Sequence, residues 1–308
     1  MNISAVEQIA NAVLYEGYLL YPYRPSAIKN QKRFNFGVLY PREYCDLQAG
    51  TESWEMRTEC LVQGGASTTL EVKVRFLQLE ERQGWQEGRE REVCAPALTL
   101  ESLVTTSVRQ PFAFECADDW DGKSSESLRG ELELRASPLD GGLFRLTLNV
   151  RNLTGLEEAS DQNRDSALLS SLISVHSILR AVGGEFVSLT DPPEQFKSAA
   201  IECQNVGAWP VLAGEEGQRD LLLASPIILY DYPRIAPESA GDLFDSTEID
   251  EILALRILTL TDAEKLELRN GDDRARRILE RTEMLAPEHF QKLHGALRGL
   301  RASPEGPQ

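Results

Sequence analysis

Between residues 54 and 151, apolar side chains recur at every second position, and this alternation limits what the chain can fold into more than any other feature. A period of two places apolar side chains on one face of an extended strand and polar side chains on the other. The clearest runs cover residues 54–62, 70–76, 112–116, 132–134 and 144–150. We therefore predict an α+β protein with an antiparallel β-sheet or sandwich in its N-terminal half.

Two glycine-containing stretches separate neighbouring runs and are typical of hairpin turns. Gly64 and Gly65 lie between the first two runs, and residues 138–142 lie between the last two. We predict a hairpin at each. The polar positions between the apolar ones carry both signs of charge, as in Glu55-Met56-Arg57, which predicts a mixed-charge sheet face in contact with solvent.

After residue 151 the apolar period changes, and the C-terminal part is predicted to be mixed α+β, ending in helices. Residues 168, 172, 175, 179 and 182 are apolar at helical spacing, which predicts a helix of about five turns that ends at Gly183-Gly184. This helix would carry His176 as a partly buried structural residue. Strands are predicted at residues 185–189, 200–203 and 221–230, and Pro226 indicates an edge strand or a strand that begins after the proline.

Helices are predicted to dominate the C-terminal third. Capping boxes at residues 245–248 and 261–264 open two of them. The predicted organisation is a tyrosine-rich N-terminal segment with an antiparallel β-domain (1–156), an α+β domain (157–302) and a disordered tail (303–308).

Composition excludes several classes of function. A net charge of -17 argues against a nucleic-acid partner, and no apolar run approaches the length of a membrane span, so no membrane insertion is expected. Five irregularly spaced cysteines and the lack of a signal-peptide pattern predict a cytoplasmic protein, with Cys45 and Cys60 as small buried residues. No nucleophile, nucleotide or metal-ligand motif is present, so no catalytic residue, metal or cofactor is predicted.

The first candidate functional feature is an N-terminal strip rich in tyrosine and in basic residues. Six of the eight tyrosines lie between Tyr15 and Tyr44, and five bases but no acid lie between Glu16 and Glu43. Tyrosine and arginine carry much of the binding energy at protein interfaces. The predicted partner-binding residues are Tyr18, Tyr21, Tyr23, Arg24 and Lys29. Alternatively, the tyrosines pack against the sheet with their hydroxyls at its rim.

The second candidate is the proline-punctuated stretch at residues 229–238 and the acids that follow it. Seven acids lie between Asp231 and Glu251, against Arg234 alone. The predicted partner-binding residues here are Tyr230, Asp231, Tyr232 and Arg234. Three alternatives stay open: a loop whose acids cap a helix, docking of the N-terminal strip, and a carboxylate site for a cation or for acid/base chemistry.

These stretches also carry a family resemblance, through Tyr21-Pro22-Tyr23-Arg24-Pro25 within residues 15–30, Tyr230-Asp231-Tyr232-Pro233 within residues 225–238, and residues 242–253. Over most of its length the chain resembles uncharacterised proteins of bacterial gene clusters for actinobacterial-type nickel-iron hydrogenases. The resemblance implies an accessory role in hydrogenase assembly or maturation and supplies no catalytic residues. Because the chain has no cysteine or histidine cluster, a chaperone or scaffold is favoured over a nickel carrier.

The sequence therefore predicts a non-enzymatic assembly or maturation factor that binds a protein partner, a hydrogenase subunit. Two alternatives remain. One is a metal-assisted hydrolase with Asp231, Asp242 and Asp245 as carboxylates and Arg24 or Lys29 as the anion-binding group. The other is a structural subunit of the mature complex.

Overall fold

The computed structural model describes residues 3–14, 37–82, 85–115, 127–156, 163–234, 260–269 and single positions between 276 and 284. The chain divides into two compact units, one of Met1–Tyr18 with Lys32–Arg234 and one of Leu19–Gln31 with Ile235–Gln308. The predicted boundary between residues 156 and 157 falls inside the first unit, because a strand beyond it pairs with a strand before it.

The described residues form nine strands, all antiparallel where they pair, which confirms the predicted α+β class with an antiparallel sheet. The strands are β1 (Glu55–Arg82), β2 (Trp85–Cys94), β3 (Leu98–Thr99), β4 (Val108–Phe114), β5 (Leu128–Pro138), β6 (Leu143–Asn152), β7 (Ile173–Val187), β8 (Trp209–Leu212) and β9 (Leu221–Ser225). The helices are α1 (Ile3–Leu14), α2 (Arg42–Leu47), α3 (Leu100–Thr105), α4 (Arg164–Leu169), α5 (Lys197–Ile201) and α6 (Asp262–Arg269). Among the described helices, none is long and apolar enough to cross a membrane.

The long strand β1 organises the sheet, whose order is β4-β5-β6-β1-β7-β9-β8. One edge of β1 pairs first with β6 and then, further along, with β3 and β2. Its other edge pairs with β7, with a register shift between Gly64 and Thr69. The hairpin predicted at Gly64-Gly65 is therefore wrong, because the strand bends there and continues. The hairpin predicted at residues 138–142 is confirmed, since β5 and β6 pair on either side of it.

The sheet curls so that its β4 edge approaches β1 and the end of β2 and encloses one core. Phe76 of β1 lies 5.7 Å from Phe112 and 5.8 Å from Phe114 of β4, centroid to centroid, although β5 and β6 separate β1 from β4 in the sheet. The Gln110 amide of β4 also donates to the Cys94 carbonyl at the end of β2. The core thus lies inside the curl, lined by alternate residues of β1, β5, β6, β7 and β9.

The helix predicted over residues 168–182 is wrong beyond its first two residues. Helix α4 ends at Leu169, and the chain then forms strand β7. Both faces of this strand are buried: Val175 and Leu179 belong to the core, while Ile178 on the other face is also buried. A strand buried on both faces contains apolar residues at helical as well as alternate spacing, so the spacing of its apolar residues does not distinguish a strand from a helix.

Helix α1 covers the sheet on the face opposite the core. Its apolar residues Val6, Ile9, Ala10 and Leu14 are buried, and its Glu7 bonds Lys73 of β1 at 3.2 Å. Arg75, two residues along the same face of β1, lies opposite His176 of β7.

His176 therefore lies on the α1 side of the sheet and is completely buried, rather than partly buried on a helix as predicted. Its Nδ1 bonds the Ser174 carbonyl at 2.9 Å, and its Nε2 has no hydrogen-bond partner among the described residues. Burial, opposed by the bond to Ser174 and assisted by the Arg75 charge, lowers the pKa of His176 to about 4.

The predicted mixed-charge face lies across β1, β6, β5 and β4. Several of its charged side chains are partly buried, although the sequence predicted a face in contact with solvent. Arg151 bonds Glu55 and Glu131, each at 3.2 Å, and Glu133 at 2.8 Å. Burial alone would raise the pKa of Glu133, but hydrogen bonds from Arg151 and Arg109 lower it. Nearby, the loop after α5 covers Glu59 by donating the Gln204 N–H to its carboxylate.

The remaining predicted elements have mixed outcomes. Residues 200–203 lie in and after helix α5, so the strand predicted there is wrong. The strand predicted at residues 221–230 exists only to Ser225, where Pro226 ends it. In the second unit the capping box at residues 261–264 is confirmed: Thr261 N–H donates to the Glu264 carboxylate at 2.9 Å and Glu264 N–H donates to the Thr261 hydroxyl at 3.3 Å, at the start of α6. The capping box at 245–248 lies outside the described residues.

Candidate functional site

The chain turns back after β9 and forms the return segment, residues 226–234, which contains the four described candidate residues. Pro226 has no N–H to continue the strand ladder, and the Ser225 hydroxyl donates to the Ile227 carbonyl at 2.6 Å. Pro226 also packs closely on Gly37, where an added Cβ would lie 2.6 Å from the proline ring. These contacts fix the point at which the segment leaves the sheet.

The return segment is fastened to the free edge of β8 at Leu212. The Leu212 N–H donates to Asp231 Oδ1 at 2.8 Å, and the Tyr232 N–H donates to the Leu212 carbonyl at 2.7 Å. Because Ala213 and Leu221 share the neighbouring ladder bond, the polar groups of Leu212 point away from β9. The segment therefore satisfies an edge that would otherwise be open to another strand.

Asp231 also joins the segment to the chain that follows β7. The Ser188 hydroxyl donates to Asp231 Oδ2 and accepts from the Asp191 N–H at 2.9 Å. Both carboxylate oxygens of Asp231 are thus occupied by hydrogen bonds within the protein. The residue acts as a clamp between the β8 edge and the loop after β7.

Around this clamp, side chains of the segment point in different directions. Tyr232 has a φ of +57°, which non-glycine residues rarely adopt, and its ring packs against the core. By contrast, Tyr230 is 83% exposed and Ile228 is 71% exposed. Trp209, 48% exposed, begins β8 opposite Ser225, where the segment starts. The segment therefore presents large apolar and aromatic surface from a backbone that is held in place.

Two loops that contact the return segment carry acidic residues. The loop after β7 contributes Asp191 and Glu194, and the turn between β8 and β9 contributes Glu215 and Glu216. Glu194 pairs with Lys197, and Glu216 pairs with Arg234 at 3.7 Å. Asp191 and Glu215 are exposed and make no ion pair with any residue that the structure describes.

A separate groove of about 740 Å³ opens where β1 and β7 bend. Its lining includes Gly64, Gly141, Gly142, Gly183 and Gly184. A Cβ at Gly64 or Gly184 would meet Thr68 at 2.4 or 2.7 Å, so the bend itself explains these two glycines. The one base among the lining residues, Arg180, lies 3.4 Å from the Glu71 carboxylate and 3.8 Å from that of Asp220.

Four of the nine predicted site residues can be located. Tyr230, Asp231, Tyr232 and Arg234 belong to the return segment, where Tyr230 is the exposed member and Asp231 the clamp. Five predicted residues lie outside the described residues: Tyr18, Tyr21, Tyr23, Arg24 and Lys29. Asp242 and Asp245, which the hydrolase alternative needs, lie outside them as well.

Sequence reasoning missed three residues of this region. Trp209 and Ile228 add exposed apolar surface, and Ser188 bonds Asp231 from 43 residues away. The Trp209-Pro210 pair was a usable signal, since a proline within a short strand indicates a sheet edge. No sequence signal links Ser188 to Asp231, because the contact depends on how β7 folds back.

The described residues contain no group of three or more His, Cys, Asp or Glu side chains placed to hold a metal ion. Cys45 and Cys60 are buried, as predicted, and the four described cysteines are unbonded. Burial raises the pKa of Cys45 to about 11 and raises that of Cys60 further.

The sequence matches none of the protein families searched, and no curated protein is significantly similar to it.

Proposed function

We propose that the chain is a non-enzymatic assembly factor that binds a polypeptide client through the return segment. The observation that carries this proposal is Tyr230, which is 83% exposed one residue before the Asp231 clamp. A tyrosine held on an ordered backbone loses little conformational entropy when it binds, and tyrosine is among the residues that dominate interface energies. Ile228 adds apolar area on the same segment.

The client is proposed to be a subunit of a nickel-iron hydrogenase, with the chain as a chaperone or scaffold in the cytoplasm. Support for the client comes from the resemblance at residues 15–30, 225–238 and 242–253. The four unbonded cysteines agree with a reducing compartment. The strip residues Tyr18, Tyr21, Tyr23, Arg24 and Lys29 are proposed to contact the same client.

The occupied carboxylate of Asp231 weighs against the hydrolase alternative. Each carboxylate oxygen has two lone pairs, so one hydrogen bond does not block it, but proton transfer or metal binding at Asp231 would compete with the contacts that hold the segment. Asp231 already accepts from the Leu212 N–H and from the Ser188 hydroxyl. Its position is better explained by holding Tyr230 and Tyr232 in place.

The test is affinity capture from the cytosol of native cells grown under hydrogen-metabolising conditions, followed by mass spectrometry and metal analysis of the captured material. The bait is the wild-type chain, Tyr230→Ala, or the control Leu47→Ala, which removes an exposed apolar side chain from α2. We expect a hydrogenase subunit with the wild type and with the control, and at least about tenfold less with Tyr230→Ala, since hot-spot truncation costs about 2 kcal/mol.

Two results would contradict the proposal. Equal recovery of the subunit with Tyr230→Ala would remove the return segment from the interface. Recovery of the chain with stoichiometric divalent metal and no partner would favour the hydrolase alternative.

A further inference from the structure

The charge around the return segment specifies what kind of polypeptide fits there. Residues 185–234 contain eight acids and three bases. Two of the bases are already neutralised, because Lys197 pairs with Glu194 and Arg234 pairs with Glu216. Glu202 and Asp220 pair with Arg145 and Arg180. The remaining negative charge near the segment comes from Asp191 and Glu215, against the exposed Arg219, within a chain whose net charge is -17.

Two acids, one in each of the loops that contact the segment, have no cation of their own among the described residues. Asp191 is linked to the clamp through Ser188, whose hydroxyl bonds both the Asp191 N–H and Asp231. Glu215 is next to Glu216, which reaches Arg234 at the end of the segment. Both acids are exposed, so their charges are available to a partner.

We infer that the return segment binds a basic polypeptide segment, in which an apolar residue contacts Tyr230 and Ile228 while flanking lysine or arginine side chains approach Asp191 and Glu215. This inference rests on the proposed function and names the chemistry of the client surface. Charges at the rim of an interface mainly raise the association rate and select the partner, whereas the apolar centre supplies most of the affinity. The two kinds of contact can therefore be separated by salt.

A nucleic acid does not fit this surface, because phosphates would be repelled by the same acids that attract a basic peptide. A divalent cation does not fit either. Calcium takes six to eight oxygen ligands, whereas the described residues contain no group of three or more His, Cys, Asp or Glu side chains placed to hold a metal ion.

The probe is a fluorescein-labelled peptide of alternating lysine and leucine with blocked ends, and fluorescence anisotropy measures its binding to the full chain. The matching peptide has glutamate in place of lysine. The test variant carries Asp191→Asn and Glu215→Gln. The control variant carries Glu43→Gln and Glu101→Gln, which removes the same charge from exposed acids of α2 and α3.

At low salt, about 50 mM, we expect the test variant to bind the lysine peptide roughly three- to tenfold more weakly than the wild type or the control. The difference should shrink at about 500 mM, where exposed charges are screened over a few ångströms. Tyr230→Ala should weaken binding at both salt concentrations, and the glutamate peptide should not bind.

Each other outcome overturns the inference. Equal weakening by the test and control variants would mean that only net charge matters, and no binding of the lysine peptide would exclude a basic partner. If Tyr230→Ala loses the hydrogenase subunit in the capture experiment while the test variant retains it, the proposed function stands and the basic partner is wrong.

Discussion

The buried histidine makes the stability of the sheet depend on pH in a way that can be calculated. His176 is fully buried and its pKa is lowered to about 4, whereas an unfolded chain has the ordinary value near 6.5. Between these values the unfolded state binds the proton and the folded state does not, so stability is full above pH 6.5 and falls as pH falls towards 4. The full difference is about 3 kcal/mol, of which about 2 kcal/mol is lost at pH 5.

Charged groups around His176 reinforce this direction. Arg75 faces it from β1 with Lys73 beyond, Glu7 approaches from α1, and Glu90 and Glu92 approach from β2. Glu90 lies 3.1 Å from Arg75, and both Glu7 and Glu92 lie within 3.3 Å of Lys73. The ring itself gains no carboxylate partner from them, so protonation remains unfavourable.

The assay is urea unfolding of the wild type and of His176→Gln at pH 7.5 and at pH 5. We expect the wild type to lose about 2 kcal/mol more than the variant between the two pH values, whatever the variant's own stability. Leu47→Ala, which removes an exposed apolar side chain of α2 and no titratable group, is the control and should lose as much stability between the two pH values as the wild type. Equal losses in the wild type and in His176→Gln would refute the reasoning. If the variant does not fold, an NMR titration of the three histidine rings decides, since a ring titrating near 6.5 at position 176 would also refute it.

Three further predictions follow from single contacts. Asp231→Ala leaves the Leu212 N–H and the Ser188 hydroxyl without their acceptor. We therefore expect the free energy of unfolding in urea to fall by roughly 2–3 kcal/mol, and a fall of less than about 0.5 kcal/mol would contradict the clamp. Gly130→Ala should lower the free energy of unfolding by about 2 kcal/mol, because the added Cβ would lie 2.2 Å from the Phe112 ring. Gly65→Ala is the matched control, since a Cβ there would have nothing within 4 Å. Equal stabilities of the two variants would show that the close approach at Gly130 is absent. Thr261→Ala removes the α6 cap and should speed amide exchange in that helix about fivefold, for a cap worth about 1 kcal/mol, whereas unchanged exchange would mean that the cap contributes nothing.

The sheet could be predicted from the sequence where local chemistry decides the structure. The turn at residues 138–142 joins two strands that pair with each other, so its local signal was sufficient. The same kind of signal failed at Gly64-Gly65, because β1 does not fold back on itself there but pairs with the distant strand β7 on both sides of the bend. A double glycine permits both a hairpin and a bend, and only pairing partners far along the chain distinguish them.

The return segment, too, could be predicted only in part from the sequence. Tyrosine, proline and charge marked residues 229–234 as unusual, and the structure separates them into an exposed residue, Tyr230, and a clamp, Asp231. That separation depends on Leu212 and Ser188, which approach Asp231 only after the sheet has formed. Composition therefore located the segment, but no local pattern could assign the roles within it.

The pairing of β1 on both edges also bears on how the chain is made. The bond between the Glu59 N–H and the Asn205 side chain joins positions 146 residues apart, and the first half of β1 pairs only with later strands. At about 5–20 residues per second, a ribosome leaves these strand edges open for on the order of 10 s. During that interval the nascent chain exposes the alternating apolar surface most prone to aggregation. A factor proposed to protect another polypeptide would thus itself need protection during synthesis.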